Sequence, residues 1–468
     1  MRRALFFFLK LAIVIAVAVW LVERPGSVAI EWGGYLVETS TGVLILLVGL
    51  LVVLAALGYR LWHGVLRAPG RMRQKRHAAR REKGYRALTQ GMVAVAAGDA
   101  EAAQRYARRA DILLHEPPLT MLLSAQAAQL NGDQEAARRY FEAMLKRPET
   151  EFLGLRGLLN QSLRTDDPAR ALALAHRARA LKPKTPWVLH TCMDLEIRQG
   201  RWGDALRTLD DAVRARVIDP ERGRRLRASM LVERSRAAEG KGDLRAAAEF
   251  VHTATQLLPD FVPAVVREAS LLDRAGKRKA AVKLIERGWE REPHPDLVRL
   301  YNALGPADED ALARVKRLER LNSLRPDHPD GLTALAEAEL AAQLWGSART
   351  HLLKVEAVRP SRRVYQLLAD LEQSEHGDSA AARNWLAKAS SADPEPAWTC
   401  TDCGAAAEIW TGLCGNCGSF GTLSWRVPHG TIRLSPVPRP VTLPARADPA
   451  AQDRQFPVAP AAGGATAS

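Results

Sequence analysis

Turn residues recur along this chain at a fixed spacing of 34, and that period constrains the fold more than any other feature. Gly98-Asp99, Gly132-Asp133, Asp166-Asp167 and Gly200-Arg201 stand 34 apart; after one gap of 42, Gly242-Asp243, Gly276-Lys277 and Asp310 resume the step of 34. Gln343 and Gly377 continue it after one step of 33, giving nine units. The phase is set by the turns alone, so the residues at fixed offsets are an independent check. Five positions after each turn stand Ala103, Ala137, Ala171, Ala205, Ala247, Ala281, Val315, Ala348 and Ala382. Twelve after come Ala110, Ala178, Ala212, Ala254, Gly288 and Ala389, and seventeen after come Pro183, Pro259, Pro293, Pro360 and Pro394. A unit of this length with one sharp reversal accommodates two antiparallel helices. Small residues let the second helix approach its neighbours closely, and proline ends it before the next unit.

This pattern resembles the tetratricopeptide repeat in length, helix-turn-helix form and small-residue columns, although the large-residue columns of its first helix are weaker here. The resemblance covers residues 84–396. It implies a solenoid whose core lies between neighbouring helix pairs and whose groove takes a peptide or helix from a partner protein, with a plain spacer role as the alternative. Composition agrees with an all-α body: 47% hydrophobic, 25% charged and only 6% aromatic. The segment Ile218–Arg236, where eight extra residues enter (42 − 34), and the divergent Asp310 unit are the expected places for a bend.

The N-terminus reads as a transmembrane hairpin over residues 1–60. Ala4–Val22 is apolar but for Lys10, and Gly42–Tyr59 carries no charge, so each is long enough to cross a bilayer as a helix. A cleavable signal peptide is disfavoured, because the first run is long and Glu23-Arg24-Pro25 follows in place of a small-residue cleavage site. Arg2 and Arg3 precede the first run, and Arg60, Arg67, Arg71, Arg73, Lys75, Arg76, Arg80, Arg81, Lys83 and Arg86 follow the second. That asymmetry places both termini on the cytoplasmic side of the membrane. The net charge of +15 thus has a local source, and the basic juxtamembrane segment 61–83, without interleaved aromatics, points to anionic lipid headgroups and away from nucleic acid. Lys10 lies close enough to the cytoplasmic face to snorkel.

Four of the five cysteines fall in Trp398-Thr-Cys400-Thr-Asp-Cys403-Gly404 and Cys414-Gly-Asn-Cys417-Gly418. Paired thiolates two residues apart reach one metal from a tight turn, and two such pairs make a closed tetrahedral four-sulfur site. Cys400, Cys403, Cys414 and Cys417 are the expected ligands of a structural zinc, with iron as the alternative. Trp398, Trp410, Phe420 and Trp425 surround them in a zinc-ribbon or rubredoxin-like module, 397–426, too small for a core of its own, so metal binding is expected to supply folding energy, with rings that face a partner instead as the alternative. Redox-active dithiols are the competing reading, but no thioredoxin-like βαβ pattern accompanies them. Cys192 reads as a core residue without a role. The Pro- and Ala-rich tail, 427–468, reads as disordered.

The short basic start, two spans and a connecting loop reading Val28-Ala-Ile-Glu-Trp32-Gly-Gly-Tyr35-Leu-Val-Glu-Thr39 resemble the HemY family of proteobacterial inner-membrane proteins over roughly residues 1–110. That resemblance implies an association with haem (protoporphyrin) biosynthesis and no particular reaction. A porphyrinogen-oxidising flavoenzyme shares the label, but the GxGxxG it requires is absent. The four-cysteine end is similar to the rubredoxin-like end of the lipopolysaccharide assembly protein B family, which implies an envelope-assembly adaptor instead. No P-loop, HExxH or nucleophile elbow occurs, and the eleven histidines are scattered. The function expected is a membrane-tethered scaffold for partner proteins, tetrapyrrole-synthesis enzymes among them, with a haem- or porphyrin-handling carrier or enzyme as the alternative.

Overall fold

The computed structural model describes residues 12, 15, 16, 19, 20, 26–33, 35–114, 117–377 and 379–428. The first expected span lies outside the described residues except at Ala12, Ile15, Ala16, Val19 and Trp20, which are helical, and Lys10 and tail residues 429–468 also fall outside. The chain forms two compact units, Met1–Ala137 and Arg138–Ser468.

In the first unit the loop expected after the first span is an antiparallel β-hairpin, Ser27–Trp32 with Tyr35–Ser40, in register from Ser27↔Ser40 to Trp32↔Tyr35. Two glycines separate the strands, and Gly33 sits at φ +61°, the conformation that a two-residue hairpin turn demands. The amide and hydroxyl of Thr41 both donate to the Gly26 carbonyl, at 2.8 and 2.6 Å, and close the hairpin at its base. There the chain enters one continuous helix, Thr41–Ala97, of 57 residues. Its segment Thr41–Arg60 is apolar, 20 residues long and unburied, a length that spans about 30 Å. The same helix then runs without interruption through the basic segment and becomes the first helix of the first repeat. Gly84 and Gly91 mark that entry: a Cβ there would lie 2.6 Å from Leu114 Cγ and 2.5 Å from Leu123 Cδ2, so only glycine lets Ala100–Leu114 and Pro117–Leu130 pack this closely.

The second unit is a succession of helix pairs. First helices are Pro148–Arg164, Pro186–Arg198, Pro220–Gly240, Val262–Arg274, Pro295–Ala303, Pro329–Ala341 and Arg362–His376. Each is followed by its second helix: Pro168–Leu181, Trp202–Arg214, Leu244–Leu257, Arg278–Arg291, Ala311–Ser323, Trp345–Val358 and Ser379–Ser391.

In both units the turn column has one conformation. Gly98, Gly132, Asp166, Gly200, Gly242, Gly276, Gln343 and Gly377 all have φ between +54° and +82°, the left-handed helix cap. The next residue donates to a carbonyl five back, as in Asp99 N to Ala94 O, Arg201 N to Glu196 O and Leu344 N to Glu339 O, at 2.8 to 2.9 Å. Where that residue is aspartate it caps the second helix: Asp99, Asp133, Asp167 and Asp243 accept from amides three residues on at 2.9 to 3.0 Å. Asp310 differs. Its φ is −70° and it serves only as a cap, because the preceding helix stops early at Ala303 and a short loop replaces the tight turn.

The alanine column is buried throughout, from Ala103 at 0% exposure to Ala382 at 7%. The eight extra residues make no loop: Pro220–Gly240 has 21 residues where Pro186–Arg198 and Val262–Arg274 have 13. Proline also opens many of the first helices, at Pro148, Pro186, Pro220, Pro295 and Pro329, where its missing N–H costs nothing. Cys192 packs among Leu155, Leu159, Val188 and Leu195, and burial, aided by Glu196, pushes its thiol up to about 12, as for a core residue.

Candidate metal centre

After Ser391 the chain leaves the helix pairs and forms a three-stranded antiparallel sheet. Ala397–Cys400 is its central strand, flanked by Ala406–Ala407 and Leu423–Arg426, with Trp398 opposite both Ala407 and Trp425. Two loops of the same build bring the thiols together. Gly404 N donates to Cys400 O at 3.0 Å and Gly418 N donates to Cys414 O at 2.9 Å. Both glycines have positive φ, +73° and +70°, so each loop folds back under its own cysteine pair.

The four Sγ atoms lie within 4.8 Å of one another, and both Cys400–Cys417 and Cys403–Cys414 are 3.7 Å apart. A metal at the centre of a sulfur tetrahedron with bonds of about 2.3 Å requires edges of about 3.8 Å, whereas a disulfide requires about 2.0 Å. The thiols therefore fit a shared cation and not a pair of disulfides. Iron and zinc have the same edge length, so geometry is silent between them.

One cysteine of each pair is buried, Cys400 and Cys414, and the other is half-buried, Cys403 and Cys417. Burial raises the Cys403 thiol, but the Ala405 amide, the Asn416 side chain and the neighbouring cysteines outweigh it and bring it down to about 7. Burial pushes Cys414 up to about 12 and also raises Cys417. Around the sulfurs, Thr422 Oγ1 lies 3.2 Å from Cys400 Sγ, and Arg426 donates to the Cys400 carbonyl at 2.9 Å. Four thiolates from the chain would fill a tetrahedral shell and leave no coordination position for a substrate.

The module's aromatic side chains face the helix pairs, an arrangement the spacing of the cysteines does not reveal. Trp398 Nε1 donates to Asp296 Oδ2 at 3.0 Å, and Trp398 and Trp425 both pack on the His294 ring, at 4.9 and 4.3 Å between centroids. Trp410 meets Phe261 edge-on at 5.3 Å and lies under the Arg236 guanidinium at 5.4 Å, and Phe420 packs on Trp202 at 6.0 Å. Two hydrogen bonds lock the loop: Gly412 N donates to Glu233 Oε1 at 2.8 Å, and Arg236 Nη2 donates to the Trp410 carbonyl at 3.1 Å. Burial drives the His294 imidazole down to about 4, so it is neutral where it stacks.

Residues 26–132 match the family model described as HemY protein N-terminus. Over 447 residues the chain is 29% identical to the probable magnetosome protein Mms48 of Magnetospirillum gryphiswaldense, covering 88% of this chain and 90% of that protein. It is 24% identical over 388 residues to Protein HemY of Escherichia coli, covering 82% of this chain and 96% of that one. A solved structure of Naa15/Naa10 bound to HypK-THB superposes with a TM-score of 0.38 at 16% identity, over 66% of this chain and 58% of that one.

Proposed function

We propose that this HemY-type protein with tetratricopeptide-like repeats is a membrane-anchored scaffold that recruits or regulates partner proteins, tetrapyrrole-synthesis enzymes among them, at the cytoplasmic face of the bacterial inner membrane. The observation that carries this reading is the single helix Thr41–Ala97, which joins a lipid-length apolar segment directly to the first repeat. A continuous helix of that kind ties the first repeat directly to the apolar segment. Two spans with both termini cytoplasmic fit the distribution of arginine and lysine, and the basic residues after Arg60 suit anionic headgroups. Arrays of helix pairs present extended surfaces to protein segments, which supports a binding role over a catalytic one.

Cys400, Cys403, Cys414 and Cys417 would hold one structural zinc, with iron as the alternative. Bound there, the metal would supply folding energy to a segment that has little core of its own.

Crosslinking in intact membranes, followed by purification of the protein and identification of what it carries, tests the proposal. Recovery of tetrapyrrole-synthesis enzymes, lost when the repeats are deleted, is the expected result. Recovery of lipopolysaccharide-assembly proteins instead would overturn the haem assignment. A stoichiometric absorbance band on titrating haemin, with no protein partner recovered, would replace the scaffold by a carrier.

A further inference from the structure

The four-cysteine module lies across four successive repeats. Arg198 faces Gly418, Leu226 faces Gly421, Glu233 and Arg236 hold Gly412 and Trp410, and Phe261, His294 and Asp296 receive the tryptophans. The step of 42 in the repeat spacing serves this contact. The eight residues that lengthen Pro220–Gly240 extend it at its N-terminal end, and Leu226 belongs to that extension, 2.8 Å from where a Cβ on Gly421 would stand. Trp398 and Trp410 are 5% and 3% exposed and belong to one buried cluster with Leu206, Met230, Val251 and Leu271. Releasing the module would uncover both sides of that cluster, so the contact is a permanent part of the core and not a detachable plug.

We propose that the metal-loaded module is an internal brace of the array: metal binding at the four cysteines sets the local stability of the first helices between Pro186 and Ala303, and those helices in turn tighten metal binding. The proposal rests on the reading that the site takes a metal. The docking residues Trp410, Gly412, Phe420 and Gly421 are carried on or beside the loop that holds Cys414 and Cys417, so their positions depend on the crosslink between the two cysteine pairs. Linkage makes the effect reciprocal: whatever factor the metal gives to docking, docking returns to metal affinity.

Hydrogen exchange on the full chain in detergent, zinc-loaded against chelator-stripped, reads the first half of this coupling. Exchange at least tenfold faster in 220–240 and 262–274 after stripping, with 345–391 unchanged, is expected; a change confined to 397–426 would overturn the brace. Should the stripped chain aggregate, Trp410→Ala, which keeps all four cysteines, reads the other half. It is expected to lose zinc to a chelator at least tenfold faster than the unmodified chain, and equal rates would overturn the proposal. A chain that takes up no zinc at all overturns the metal reading and the brace together, whereas uptake with confined exchange overturns the brace alone.

Discussion

Single side chains decide how closely the second helices approach. Ala205 is fully buried in the core cluster that also holds Ile197, Leu209 and Leu231, so Ala205→Leu overpacks it and is expected to cost about 1–3 kcal/mol in urea unfolding. That column is legible in the amino-acid sequence, because one small residue at one offset repeats along the chain. His294 is not: nothing local marks a histidine that will stack on two tryptophans more than a hundred positions away. Its folded value of about 4 lies below the ordinary 6.5, so between those limits the unfolded chain binds the extra proton. This contribution to docking stability is therefore full above pH 6.5, falls as the pH drops and is lost by about pH 4, an effect of about 3 kcal/mol. Asp296 and Asp330 oppose the shift and Arg299 adds to it. Tryptophan fluorescence of Trp398 and Trp425 should report this loss, and His294→Phe should flatten the profile between pH 6.5 and 4.

At the scale of elements, the turns explain why glycine and aspartate stand together. Glycine supplies the left-handed cap of one helix and aspartate caps the next, so Asp243→Ala should cost about 1 kcal/mol and Gly242→Ala should be destabilising at its φ of +82°. Chemical denaturation of the two variants checks the value for the first and the direction for the second. The sequence pattern locates the eight-residue excess but not the element that absorbs it, since a longer helix and a longer loop leave the same gap in a period. The expected turn at Asp310 is instead a cap after a shortened helix for a related reason: aspartate signals both roles. Likewise Gly33-Gly34 marks a reversal, yet whether the flanking residues pair as strands depends on Gly26 and Thr41 meeting at the base.

For the whole molecule, order along the chain is readable because each part has its own chemistry: apolar runs, a basic stretch, a period of 34 and two cysteine pairs. What periodicity does not carry is contact between distant segments, and so the aromatic residues around the cysteines, open to an outside partner by composition alone, face helices of the same chain. The closed four-thiolate centre is the claim on which the module's structure and its hold on the array both depend. X-ray absorption at the metal edge, with metal content measured on the same purified chain, tests it most directly. One metal per chain with four sulfur scatterers at about 2.3 Å is the predicted result. A substoichiometric metal, oxygen or nitrogen in the shell, or paired disulfides in freshly isolated protein would contradict it.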